Sequence, residues 1–80
     1  MRELETGMDL KRPSLSKEQV LALSVGDKIR DIPGYLYQVI GFVDGRYGRI
    51  AVLEYWHQRH ERYAYRTASE EELSILYTPA

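Results

Sequence analysis

Hydrophobic and polar positions along this chain follow a helical spacing only near the start and a strand-like spacing from Val25 onward. The helical stretch is Leu15-Ser16-Lys17-Glu18-Gln19-Val20. Ser16 can cap the backbone amide of Gln19, the Gln19 side chain can reach back, and Leu15 can staple onto Val20. The pattern predicts a helix over about 16–24 that stops near Ser24 to Gly26. Two turns do not hold in water alone, so this helix must pack on something else. Residues 1–13 show no sustained period and end in Lys11-Arg12-Pro13. They are expected to form a flexible arm unless a partner or a second copy fixes them.

Lys28-Ile29-Arg30-Asp31-Ile32 alternates charge with apolar bulk and predicts a first strand, closed by a turn at Pro33-Gly34. The run 35–43, YLYQVIGFV, is apolar on both faces and predicts a second strand, bent or bulged at Gly41. Asp44-Gly45-Arg46-Tyr47-Gly48 has hairpin-loop length. A third strand over 49–57 sets Ile50 and Val52 on one face and Ala51, Leu53 and Tyr55 on the other. Glu54 falls where the first set would continue inward, so a bend is expected there. The polar loop 58–61 leads into a fourth strand at 62–67. Ser69-Glu70-Glu71-Glu72 is a second capping box and predicts a helical turn at 69–73, with 73–77 open to helix or strand.

The expected fold is one domain over 14–80, mainly β with a short N-terminal helix: a small barrel or a strongly bent antiparallel sheet of four or five strands. Its interior is assigned to Ile29, Val39, Ile40, Val52, Leu53 and Leu73. The order of four strands, one helical turn and a short last strand resembles the Src-homology-3-like small barrels, including the Tudor-type and KOW-type modules. That resemblance is carried by residues 25–29, 37–41, 50–53 and 69–76. It implies a shape and no particular activity, since those modules bind nucleic acid, ribosomal and polymerase components, methylated side chains or electron-transfer subunits.

Composition narrows the function classes. Eighty residues without cysteine exclude a disulfide framework and a thiolate zinc site. No apolar run approaches the roughly 20 residues of a membrane span, and the first residues lack a signal-peptide core, so a cytoplasmic setting is expected. The net charge is −1; residues 26–66 hold seven basic and five acidic groups, while 67–80 hold only Glu70, Glu71 and Glu72. A mildly basic middle is compatible with a basic patch but not with a strongly basic nucleic-acid grip.

Candidate chemistry is sparse. His57 and His60 share a His-x-x-His spacing that Glu54 or Glu61 would extend to a metal site. The simpler reading is a pair of histidines in a polar loop, with no ligand role. No thiol is present and no motif sets a base beside a nucleophile, so neither an enzyme nor a cofactor is expected. Asp44-Gly45-Arg46-Tyr47-Gly48 lacks the lysine and following helix of a phosphate cradle. What stands out is the hairpin 55–66, with Tyr55, Trp56, Tyr63 and Tyr65 as apolar anchors and Arg59, Arg62 and Arg66 as charged contacts. Such a set either stabilises a sheet surface through cross-strand aromatic pairs or binds a partner. Nearby carboxylates cancel much of the arginine charge. A protein partner or homo-oligomer is therefore expected ahead of DNA or RNA, and no membrane partner.

Overall fold

The structure, a computed structural model, describes residues 14–80. The arm expected at 1–13 lies outside them. In chain order the elements are α1 (Lys17–Leu21), β1 (Lys28–Asp31), β2 (Leu36–Gly45), β3 (Gly48–His57), β4 (Arg62–Ser69), α2 (Glu70–Leu76) and β5 (Tyr77–Pro79). All strand pairs are antiparallel, in the order β4-β3-β2-β1-β5. The sheet is not closed: β4 and β5 lie at its two ends. Of the two shapes expected, the open sheet is the one formed.

Both capping boxes form. Gln19 N donates to Ser16 Oγ at 3.1 Å and Ser16 N to Gln19 Oε1 at 2.8 Å. Ser69 and Glu72 repeat the arrangement at the same distances. α1 is shorter than expected, because Ala22 closes it and Leu23 N falls back to a three-residue bond with Val20 O. Leu23 nevertheless stays buried beside Leu15 and Val20. α2 is longer than the expected turn, and the open choice over 73–77 resolves both ways: helix to Leu76, then strand from Tyr77.

Registry fixes which residues face the core. β3 and β4 pair without interruption from Ile50 opposite Ser69 to His57 opposite Arg62. Alternation then places Ala51, Leu53 and Tyr55 on the inner face and Ile50, Val52, Glu54 and Trp56 on the outer. The pairing of β3 with β4 runs through Glu54 without a shift of register. The irregularity lies across from it on β2, where Val39 pairs with Leu53 and Gly41 with Val52, leaving Ile40 as an extra residue. Ile40 is exposed and Val52 only half buried, so neither belongs to the interior assigned from the pattern. Tyr37 and Tyr77 take that space, together with Ile29, Val39, Leu53 and Leu73. Phe42 and Tyr55 pack against the same cluster from its margin.

The helices cover the inner face. α2 contacts α1, β3 and β4, and Leu15 N donates to Tyr77 O at 3.0 Å, which ties the entry to α1 onto β5. Arg49 joins strand to helix. Its guanidinium carbon sits 3.9 Å from the Phe42 ring centroid, and Nη2 donates to the α1 carbonyls of Val20 at 3.5 Å and Leu21 at 3.4 Å. Since α1 has no basic residue in its last turn, Arg49 supplies the positive charge its C-terminal carbonyls favour.

Candidate binding groove

The turn after β1 is built on one carboxylate. Asp31 Oδ1 accepts from Gly34 N at 3.0 Å and Tyr35 N at 2.8 Å, while Oδ2 accepts from the Tyr37 hydroxyl at 2.9 Å. Gly34 has φ +106°, a conformation that favours glycine, and Arg30 Nη1 donates to its carbonyl at 2.9 Å. Tyr35 is thereby held with 69% of its surface in solvent. Opposite this turn stands the far end of β3. Between them lies a cavity of about 590 Å³ whose walls include Tyr35, Tyr37, Tyr55, Trp56, His57 and Arg66.

Tyr37 is the floor of the groove and only 4% exposed. Its ring lies 5.1 Å from that of Tyr55 and 5.5 Å, edge-on, from that of Tyr77. Arg66 reaches from β4 across the inner face, donating from Nη1 to Tyr37 Oη at 3.3 Å. Its guanidinium carbon stands 5.6 and 5.9 Å from the Tyr37 and Tyr55 ring centroids, within cation–π range. The Tyr77 hydroxyl is the main influence holding the Arg66 guanidinium charged beyond its usual range.

Burial, and then the bond to Asp31, push the Tyr37 phenol up to about 12, against an opposing pull from Arg66. Because the folded value lies above the unfolded one of about 10, this group stabilises the fold fully below pH 10. That contribution, at most about 2–3 kcal/mol, is lost as pH rises through 12. In an ultraviolet titration Tyr37 is expected to give a late step at about pH 12. Tyr37→Phe should remove that late step; a late step that persists would assign it to another ring.

The seven residues singled out in the hairpin are distributed over both faces of the sheet and the hairpin end. Tyr55 and Arg66 join Tyr37 on the inner face. Trp56 and Tyr63 pair edge-on at 5.1 Å on the outer face, and Tyr65 lies opposite Glu54 there. Trp56 also borders the groove at its rim. Arg62 pairs in register with His57 at the hairpin end, and Arg59 is exposed in the loop. The rings of His57 and His60 stack with centroids 4.4 Å apart, and His60 N donates to His57 Nδ1 at 3.3 Å. Among the described residues no three histidines, cysteines or carboxylates converge on a point where a metal ion would sit.

Asp31, Tyr35 and Tyr37 were not among the sequence candidates. The spacing in Asp31-Ile32-Pro33-Gly34 was the available signal, since an aspartate whose side chain caps the amides of a following Pro-Gly turn is a known local pattern. Comparisons with models of known protein families, with curated proteins and with solved structures find no match to this chain.

Proposed function

We propose that this chain is a non-catalytic protein-binding module whose seat is the groove between the Pro33-Gly34 turn and the end of β3. The observation that carries this reading is how the polar groups of the groove are engaged. Asp31 already accepts three hydrogen bonds, and the Tyr37 hydroxyl is held between Asp31 and Arg66. The carboxylate and phenol are bound to one another, as suits a fixed surface and not a proton-transfer centre. Facing outward are aromatic surface and one face of a guanidinium, the residue types enriched where proteins meet. An extended segment offering an apolar side chain to Tyr35, Tyr55 and Trp56, and an acceptor to Arg66, would match this lining.

Peptides selected from a random display library on the wild-type protein are expected to perturb the backbone amides of Tyr35, Tyr55, Trp56 and Arg66 in ¹H–¹⁵N spectra. Tyr35→Ala and Trp56→Ala should each weaken their binding about tenfold. Both residues are at least half exposed, so melting should shift by only a few degrees. Peptides that map away from the groove would sink the proposal. So would oligonucleotide binding at the groove with a steep salt dependence, which would favour a nucleic-acid module.

A further inference from the structure

β4 pairs with β3 through all eight of its residues, and among the described residues no strand lies on its other side, where only the Ser69 amide at its end is taken, by Glu72 Oε1. The opposite edge of the sheet is different: β5 is three residues long, and Leu15 already bonds to Tyr77. A long edge strand invites pairing, and proteins commonly blunt one with proline, a bulge or a cover. β4, RYAYRTAS, has no proline, and its register with β3 runs without a bulge. Its side chains divide by chemistry. Arg62 and Arg66 share the inner face with Ala64, whereas Tyr63 and Tyr65, 57% and 60% exposed, share the outer. No acid occurs within the strand.

We infer that the β4 edge is a strand-addition site for an extended, unstructured protein segment in which acidic residues alternate with apolar ones. Main-chain hydrogen bonds to β4 supply affinity, and alternation supplies specificity. Carboxylates at every second residue fall on the side of Arg62, exposed at the hairpin end, with the charge of Arg66 further in over Tyr37, while the intervening apolar side chains flank Tyr63 and Tyr65. This site uses the backbone edge of β4; Arg66 borders the groove as well, whereas Arg62 does not, so the Arg62 variant separates this inference from the reading above.

The probe is a capped octapeptide alternating glutamate and valine, compared with its lysine–valine counterpart. The glutamate peptide is expected to slow hydrogen exchange of β4 amides and to bind at least about tenfold more tightly than the lysine peptide. Arg62→Glu should narrow that preference, and Arg62→Glu/Arg66→Glu should reverse it. Arg62 is exposed, so the single variant reports on charge even if the double variant fails to fold. A strand bonds through one edge only. N-methylating alternate residues of the glutamate peptide should therefore abolish binding in one phase and spare it in the other. Equal effects of the two phases, or a preference indifferent to the arginine reversals, would overturn the inference. Protection, before any peptide is added, of the β4 amides of residues 62–68 that point away from β3 would do the same, showing the edge already taken by this chain or a second copy.

Discussion

Leu53→Ala is expected to destabilise the fold by about 3 kcal/mol, lowering its melting temperature by roughly 10–25 °C. Leu53 is fully buried on the inner face, with Val39 beside it on one strand and Arg66 on the other. Removing its side chain leaves a void that the paired strands cannot close without breaking their ladder. A domain of this size has little reserve, so the variant should be substantially unfolded at 37 °C. Val52→Ala provides the control. One residue away but on the outer, half-exposed face, it should cost about 1 kcal/mol or less. Circular dichroism melts of both variants decide the matter: equal losses would mean that the two faces of β3 are not distinguished as described.

Asp31→Ala is expected to cost about 2–3 kcal/mol and to disable the groove, because one carboxylate holds both the turn and its floor. The Gly34 and Tyr35 amides lose an acceptor, and the Tyr37 hydroxyl loses the stronger of its two partners. Tyr35 should then swing free of its place on the wall. Asp31→Asn separates the contributions, since its amide oxygen can still serve the two backbone amides. Three readouts should move together in the alanine variant: a lower melting temperature, a Tyr37 ionisation shifted downward, and loss of selected peptides. If peptide binding persisted while stability fell, Asp31 would be a brace for the turn alone.

Much of the architecture could be read along the chain because it is encoded locally. Both capping boxes depend on side chains three residues apart, and both formed as Ser16 with Gln19 and Ser69 with Glu72. The hairpins at 44–48 and 58–61 are likewise short-range. The inner and outer assignments were less legible. The pattern of β3 offers two plausible apolar sets, and only the pairing with β2 and β4 decides that Leu53 faces inward and Val52 outward.

The candidate site shows the same division. Tyr55 and Arg66 were singled out for composition, and the structure brings them together with Tyr37, 18 and 29 positions away in sequence respectively. That meeting depends on strand order across β2, β3 and β4, which no local spacing specifies. Trp56 and Tyr63 also meet, but on the reverse side of the sheet, because neighbours along a strand point in opposite directions. Arg49 likewise secures α1 through carbonyls 28 and 29 residues upstream, a link that no local spacing specifies.

The extra residue at Ile40 acts on β2 as a shift of reading frame. Ahead of it the odd-numbered Tyr37 and Val39 look toward the core; behind it the even-numbered Phe42 does. A strict count by twos from Val39 would put Gly41 and Val43 inside and Phe42 in solvent. The extra residue instead sets Phe42 opposite Ala51 on the inner face, where Arg49 lies on its ring, and deleting Ile40 alone would keep those pairs and faces in an unbroken ladder. For β2, the place of one unpaired residue is therefore as much a part of the encoded information as the identity of any side chain.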